Sequence, residues 1–273
     1  MVKITLNIKN SLEKNASDYF EHAKRLKKKL ERTKKAIARL EIKKENAEKK
    51  QAKQEVKEKV QMRERDWYEK FHWFFSSEGF LVIGGRDATT NEIVIKKHTQ
   101  ASDLIFHTDT PGSPFFVIQT RGEVPGEITI KETAIATASY SKAWKLGILS
   151  LDVFHVSPDQ VTKEAKAGEF ISKGAFMVYG KKTYSRPMVG LALGVYDDKI
   201  MAGALSVIEK HCSEYVEIEP GKDKKSIIGK AAQKILKGGL LDDYISVIPA
   251  GGSHMKKKRV NPNNKYVRAS KKE

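Results

Sequence analysis

Cysteine is nearly absent from this sequence of 273 residues, because Cys212 is the only one. A single cysteine cannot form a disulfide framework, which favours a reducing compartment, and no reactive-cysteine motif surrounds Cys212. No apolar run reaches the roughly 18 residues that a membrane-spanning helix needs. The first ten residues, MVKITLNIKN, are too polar for a signal peptide. We therefore expect a soluble, cytoplasmic protein.

Glycine and proline are missing from residues 11–77, so nothing in this stretch forces the chain to turn. Apolar residues recur there at alternating steps of four and three, the spacing of a coiled-coil seam with one polar member. The seam consists of Leu12, Ala16, Tyr19, Ala23, Leu26, Leu30, Thr33, Ile37 and Leu40. The spacing predicts one helix over residues 11–66, capped by Asn10 or Ser11 and preceded by a short strand or lead-in at 1–10.

A narrow seam on so long a helix needs a partner to bury it. The candidates are another copy of this chain or a segment of a different chain. The alternative is a charged single helix that is solvated all round, which suits residues 43–66 better than residues 12–40.

Positive charge is concentrated at the two ends of the sequence. The net charge is +17. Residues 11–66 carry 19 basic and 11 acidic side chains, and residues 253–273 carry 8 basic and 1 acidic. Residues 67–252 are formally neutral. This distribution indicates a nucleic-acid backbone as partner, with an anionic membrane surface as the weaker alternative. The tail at 253–273 has the composition of a disordered basic arm, and GSHM at 252–255 also resembles a cloning scar.

Residues 67–252 predict a folded domain with many strands and a few helices, which is the α+β class with a mixed or antiparallel sheet. The predicted helices are 131–146 and 224–237, the second capped by Asp223. The loop at 84–90 is either an ordinary hairpin connection or a phosphate-binding loop. The predicted strands are 80–85, 91–97, 103–109, 114–119, 150–156, 175–179, 188–196, 200–204, 215–218 and 244–248.

Several motifs in this domain occur in an order that is similar to a known family. They are WYEKFHWF, SSEGFLVIGGRDATTNE, IKK, DLIFHTDTPGS, ATASYSKAW, QVTKEA and GEFISKGAFMVYGKK. Together they resemble the C-terminal RNA-binding module, NFACT-R, of the NFACT family, which includes FbpA-like and NEMF-type proteins. The helix at 11–66 resembles the coiled-coil segment of that family, and no part resembles its NFACT-N domain.

The resemblance implies ribosome-associated quality control of stalled nascent chains. The expected partners are tRNA, large-subunit ribosomal RNA and the ribosome, with a coiled-coil partner that is either this chain or a separate chain containing NFACT-N. The motif positions carried over are Asp87, Asn91, Glu92, Asp109, Gly112, Ser113, Tyr140, Ser141, Trp144, Gln160, Gly174 and Gly180, together with Arg86, His107 and Lys163.

Basic residues in or near these motifs and in the basic tail are the candidates for RNA contact, because arginine offers a bidentate fork to phosphate and lysine a point charge. The alternative for Arg86 is neutralisation inside the domain by Asp87 and Glu92. The RNA-binding candidates are Arg86, Lys96, Lys97, His107, Lys142, Lys145, Lys163, Lys256, Lys257, Lys258 and Arg259.

The function that we expect is that of a non-enzymatic RNA-binding module without cofactor or metal. His107 and Asp109 lie two apart on a predicted strand, so they share a face. That placement keeps a nucleic-acid-processing enzyme open as an alternative. A coiled-coil scaffold or dimerisation protein is the third class.

Overall fold

The computed structural model describes residues 4–61, 64–164 and 172–260. The chain divides into two compact units, residues 1–63 and 64–273. In the described part of the chain, no helix combines the length and the apolar character that crossing a membrane requires.

The first unit is built on one helix, α1, which runs from Leu12 to Gln61 without a break. Ser11 caps it, since its Oγ accepts a hydrogen bond from the backbone N of Lys14 at 3.2 Å. The predicted single helix is confirmed over Leu12–Gln61, but residues 64–66, which the prediction included, are not helical. Of the two alternatives for residues 1–10, residues 4–10 form a lead-in and not a strand. Residues 4–10 fold back on the first turns of α1 instead, held by Tyr19 Oη, which donates to the carbonyl of Thr5 at 2.7 Å.

The second unit contains antiparallel sheets and short helices, which confirms the α+β class. A six-stranded sheet has the order β1-β2-β4-β3-β5-β8, a four-stranded sheet the order β10-β9-β11-β12, and β6 pairs with β7. The strands are β1 (His72–Phe75), β2 (Leu81–Gly84), β3 (Leu104–Thr108), β4 (Phe116–Gln119), β5 (Val153–Val156), β6 (Val161–Thr162), β7 (Met177–Val178), β8 (Thr183–Ser185), β9 (Leu191–Tyr196), β10 (Lys199–Gly203), β11 (Glu214–Asp223) and β12 (Ser253–Val260). The helices are α2 (Ala88–Lys97), α3 (Glu127–Ser139), α4 (Lys142–Leu146), α5 (Leu205–His211), α6 (Lys225–Leu236) and α7 (Leu241–Val247).

The strands β2, β3, β4, β9 and β10 and the helix α6 lie where the sequence predicted them. The turn between β9 and β10 consists of Asp197 and Asp198, both with positive φ (47° and 59°). Two such residues form the type I′ turn whose twist matches a hairpin. Lys224, not Asp223, is the N-cap of α6. α5 has no counterpart among the predicted elements.

Residues 91–97, predicted as a strand, belong to α2. The reason is local: Asp87 Oδ1 accepts a hydrogen bond from the backbone N of Thr90 at 2.8 Å, and Thr90 Oγ1 accepts one from the backbone N of Asp87 at 2.9 Å. This reciprocal capping starts a helix in spite of the β-branched residues that follow. The hairpin interpretation of 84–90 was therefore wrong.

Residues 244–248 were also predicted as a strand and instead mostly form the end of α7. The predicted helix 131–146 is two helices, because Ser141 interrupts it and caps α4 by accepting from the backbone N of Ala143 at 3.1 Å. The division of the predicted helix thus depends on one polar side chain, Ser141, at the start of α4.

The prediction of a disordered arm from residue 253 was wrong for Ser253–Val260, which form β12 and pair with β11. Ser253 is buried, and Trp144 Nε1 donates to its Oγ at 3.1 Å and to the carbonyl of Gly252 at 3.0 Å. This anchoring, which basic composition does not reveal, makes GSHM part of the folded domain. Residues 261–273 lie outside the described residues.

Candidate nucleic-acid interface

An open cleft of about 520 Å³ lies in the second unit. Its walls come from β1, the start of α2, the turn after β3, the end of α3, the segment 172–176, the start of α6 and residues 246–250. Eight of the motif positions line it: Arg86, Asp87, Asn91, His107, Gly112, Ser113, Tyr140 and Gly174. The fold thus brings residues from four separate motifs to one place.

Arg86 is the central cation of this cleft. Its Nη2 donates to the carbonyl of Glu69 at 3.2 Å, and its Nε is buried without a hydrogen-bond partner among the described residues. Burial is the main cause that lowers the pKa of Arg86 below its ordinary value, and the charge of Arg65 adds to it. No carboxylate of the described residues forms an ion pair with Arg86.

The alternative that Asp87 and Glu92 neutralise Arg86 was wrong. Asp87 caps α2, and its pKa is lowered mainly by the hydrogen bond from the backbone N of Thr90. Glu92 Oε1 lies 2.6 Å from Lys163 Nζ, and its Oε2 lies 3.7 Å from Lys96 Nζ. Both carboxylates are therefore engaged elsewhere.

His72 and Tyr140 form a stacked pair in the cleft, with ring centroids 3.8 Å apart. Tyr140 Oη donates to the carbonyl of Val247 at 2.6 Å, which fixes the ring. His72 Nδ1 is buried and has no hydrogen-bond partner among the described residues. Burial lowers the pKa of His72 well below its ordinary value, and the charges of Arg86 and Lys225 lower it further, so the imidazole is neutral at pH 7.

His107 and Asp109 each form their hydrogen bonds with other groups. His107 Nε2 lies 3.1 Å from the carbonyl of Ser113, and its ring stacks on Phe115 at 4.0 Å. Asp109 accepts hydrogen bonds from Lys182 Nζ at 2.7 Å and from Tyr184 Oη at 2.9 Å, outside the lining of the cleft. Burial lowers the pKa of His107. Within 4–61, 64–164 and 172–260, no cluster of three His, Cys, Asp or Glu side chains is arranged to hold a metal ion.

The remaining motif positions stabilise the backbone conformation around the cleft and in the turns, helix caps and strand near it. Asn91 Oδ1 accepts from the backbone N of Phe115 at 3.2 Å, and a Cβ on Gly85 would overlap that oxygen. Gln160 Nε2 donates to the carbonyls of Tyr179 and Lys181 at 2.8 and 3.0 Å and so fixes the turn at Gly180. Ser141 caps α4, Trp144 anchors β12, and Lys142 packs beside Gly112.

The predicted cations differ in how far they remain available to an anion. Lys96 and Lys163 pair with Glu92, Lys256 Nζ lies 2.8 Å from Glu219, and Arg259 Nε lies 2.8 Å from Glu217. Arg86, Lys97, Lys142 and Lys145 have no carboxylate partner among the described residues. Lys257 and Lys258 lie on β12, and their side chains are outside the described part.

Three further residues of the cleft were missed by the sequence analysis: His72, Lys173 and Lys225. His72 stands in the WYEKFHWF motif, from which no site residue was carried over. Lys173 belongs to GEFISKGAFMVYGKK, where the glycine and not the lysine drew notice. Lys225 carries no local signal, because only the packing of α6 against the sheet brings it to the cleft.

Residues 70–180 match the family model described as the NFACT protein RNA binding domain. The chain is 40% identical over 203 residues to the archaeal Rqc2 homolog aRqcH of Methanocaldococcus jannaschii, an overlap of 72% of this chain and 30% of that protein. It is 38% identical over 157 residues to the ribosome quality control complex subunit NEMF homolog of Drosophila melanogaster, covering 57% of this chain and 15% of that protein.

A third relative is the human ribosome quality control complex subunit NEMF, which is 34% identical over 178 residues, or 63% of this chain and 16% of that protein. The chain thus spans less than a third of the length of each of these relatives. The match at 70–180 includes Arg86, Tyr140 and Gly174, which line the cleft. The chain therefore contains an NFACT RNA-binding domain at residues 70–180.

Proposed function

We propose that this chain is a non-enzymatic RNA-binding module of ribosome-associated quality control, which associates with tRNA, with the large ribosomal subunit, or with both, in the cytoplasm. One observation carries the proposal: family motifs that are scattered along the sequence meet in a single basic cleft. Among the described residues that line it are the cations Arg86, Lys173 and Lys225 and one carboxylate, Asp87, which is occupied as a helix cap.

A polyphosphate backbone is the ligand that this distribution of charge favours. Lysine and arginine that lack carboxylate partners release the counterions of RNA when they bind it, so affinity falls as salt rises. Lys142 and Lys145 lie on α4, close to the cleft through the contact of Lys142 with Gly112. Together with Arg86 and Lys225 they extend the positive surface beyond the cleft.

The test is a titration of labelled deacylated tRNA, and separately of large ribosomal subunits, at several salt concentrations. We expect log K to fall linearly with log of the salt concentration. The double variant Lys142→Gln, Lys145→Gln should reduce the slope by about 1 to 2, because each unpaired lysine accounts for roughly one counterion.

The matched control is the double variant Lys131→Gln, Lys256→Gln, which changes the net charge equally. Both of its lysines are ion-paired, to Glu127 at 3.2 Å and to Glu219 at 2.8 Å. We expect a smaller change in slope from the control. Absence of binding at low salt, or an affinity that is independent of salt, would contradict the proposed function.

The coiled-coil seam of α1 supports a second interaction. Leu12, Leu26, Leu30, Ile37 and Leu40 are each at least half exposed. We propose that a second helix covers this seam, either from another copy of the chain or from a chain that contains NFACT-N. Apolar residues at coiled-coil spacing bury their surface most readily against a partner with the same spacing.

A further inference from the structure

The geometry of the cleft points to a more specific ligand: we propose that it receives one unstacked nucleotide of the bound RNA. Its phosphate lies against Arg86 and Lys225, and its base lies against the aromatic wall of the cleft. This inference rests on the proposed function, because it names the part of the RNA that enters the site. It assigns an RNA-binding role to His72, Lys225 and Phe176, which were not among the RNA-binding candidates predicted from the sequence.

The cleft carries an excess of positive charge without a counter-charge. Arg86 and Lys225 line the same cleft, and neither has a carboxylate partner among the described residues. Burial lowers the pKa of Lys225, and the charge of Arg86 lowers it further. Two cations that are both partly withdrawn from water and repel each other bind a phosphate with charge-assisted hydrogen bonds.

The lining of the cleft also contains buried polar atoms without partners. His72 Nδ1 and Arg86 Nε are the two such atoms in the lining that find no hydrogen-bond partner within the described parts of the chain. Polar groups removed from water are normally hydrogen-bonded, and exceptions call for an explanation. Arg86 and His72 are only partly buried as whole residues, so a nucleotide in the cleft can contact the exposed part of the guanidinium and of the neutral imidazole.

The aromatic residues of the lining also favour a nucleotide. The ring of Phe115 stacks on His107, with centroids 4.0 Å apart, and meets Phe176 edge-on at 5.5 Å. Phe176 is only partly buried and lines the cleft. A volume of about 520 Å³ lies within the range of small-ligand sites. It suits one base stacked on an aromatic ring, as in the recognition of single-stranded RNA, and excludes a duplex.

The experiment compares adenosine monophosphate, inorganic phosphate and adenosine as probes of the full chain, by NMR titration of the His72 imidazole and by calorimetry. We expect adenosine monophosphate to shift the His72 resonances and to bind about tenfold tighter than either of the other two probes. Lys225→Gln should weaken the binding of adenosine monophosphate about tenfold, the loss that a hydrogen bond to a charged group typically carries.

Lys224→Gln is the matched control, since it removes the same charge one residue earlier, outside the lining of the cleft. It should change the affinity less than twofold. Phe176→Leu keeps an apolar side chain and removes the ring. It should weaken adenosine monophosphate and leave inorganic phosphate unaffected.

Three outcomes would overturn the inference. If inorganic phosphate binds as tightly as adenosine monophosphate, the cleft is an anion site without a base subsite. If Lys224→Gln weakens binding as much as Lys225→Gln, the phosphate lies elsewhere. If no probe binds while tRNA binds with the expected salt dependence, the cleft does not take a nucleotide and the proposed function stands. Failure of tRNA binding itself would instead count against the proposed function.

Discussion

Gly174 lies directly against Ala88 in the first turn of α2: a Cβ on Gly174 would stand 2.5 Å from the Cα of Ala88 and 2.6 Å from its Cβ. The φ angle of Gly174 is +79°, a conformation that favours glycine. The backbone N of Gly174 also donates to Glu92 Oε1 at 3.1 Å. The segment 172–176 and α2, which form neighbouring walls of the cleft, are thus fitted to each other through this glycine.

We predict that Gly174→Ala lowers both the stability of the domain and its affinity for tRNA. The positive φ alone costs about 1–3 kcal/mol for a residue with a side chain. The collision with the backbone of Ala88 adds to this cost, because a helix start cannot move as an exposed side chain can. Urea denaturation measures the free energy of unfolding, and the tRNA titration measures the affinity.

Gly122→Ala is the control, because Gly122 has nearly the same φ angle (+89°) but no atom within 4 Å of a built Cβ. It should show only the backbone cost and leave tRNA affinity unchanged. Equal losses of stability in the two variants would show that the contact with Ala88 contributes nothing.

The ion pair between Glu92 and Lys163 predicts a loss of stability in acid. The pKa of Glu92 is lowered from 4.5 to about 2. The main cause is the hydrogen bond from Lys163, and the second is the hydrogen bond from the backbone N of Gly174. The pKa is lower in the folded than in the unfolded chain, so the stabilisation is complete above about pH 4.5. It is lost as pH falls from there through 2.

Glu92→Gln should flatten the stability profile between pH 4.5 and pH 2, measured as the urea midpoint at each pH. Glu127→Gln provides the comparison, since Glu127 and its partner Lys131 are 86% and 70% exposed and the pair contributes little. If the stability profiles of wild type and Glu92→Gln run parallel below pH 4.5, the ion pair between Glu92 and Lys163 does not cause the loss of stability in acid.

Seam residues of α1 should control association. Leu30→Gln with Ile37→Gln should weaken self-association, or binding to a chain that contains NFACT-N, by at least about tenfold. Each apolar side chain that is buried in an interface contributes roughly 1.5–3 kcal/mol. Sedimentation equilibrium measures self-association, and a pull-down measures binding to the chain that contains NFACT-N.

The control for the seam is Ala38→Gln, because Ala38 lies next to Ile37 in sequence but off the seam. It should leave association unchanged. A double variant that associates as well as wild type would mean that α1 is a solvated single helix.

Cys212 should report on the opening of the domain. It is 1% exposed, and burial raises the pKa of its thiol to about 12. A thiol reagent at pH 8 should therefore label it only in opened molecules. A Cβ on Gly194 would stand 2.5 Å from Cys212 Sγ, so Gly194→Ala should destabilise the domain by about 1–3 kcal/mol and accelerate labelling about tenfold or more.

The control is Gly190→Ala, just before β9. A Cβ on Gly190 would have no atom closer than 3.9 Å, so Cys212 in this variant should be labelled at nearly the wild-type rate. Rapid labelling of the wild-type chain would contradict the burial of Cys212.

The strands with a plain apolar run were predictable, because burial on both faces leaves a clear signal. Phe80–Gly85 and Pro114–Gln119 are of this kind and form β2 and β4. The sequence 91–97 has strand-like composition, yet only Val94 is buried in the resulting helix. The helical state of this segment is decided just before it, by the capping pair of Asp87 and Thr90. Such short-range capping overrides propensity.

The residues of the cleft were only partly predictable, for a different physical reason. The motifs supplied Arg86, Tyr140 and Gly174, but which of them share a site depends on sheet order and on where α6 packs. Lys225 and Arg86 lie far apart in the sequence but line the same cleft, and no local sequence pattern predicts this proximity. The net charge of each segment could be read from the sequence, but its ion pairs could not. Lys256 and Arg259 pair with carboxylates on the neighbouring strand β11, which the sequence does not reveal.

The anchoring of Gly252 and Ser253 by the indole of Trp144 has a practical consequence. Removing the chain after residue 252 deletes the whole of β12 and leaves β11 with an uncovered side, which invites aggregation. A shortened version for crystallisation should therefore keep at least Val260. The emission of Trp144 then becomes a spectroscopic gauge of whether that last strand has docked.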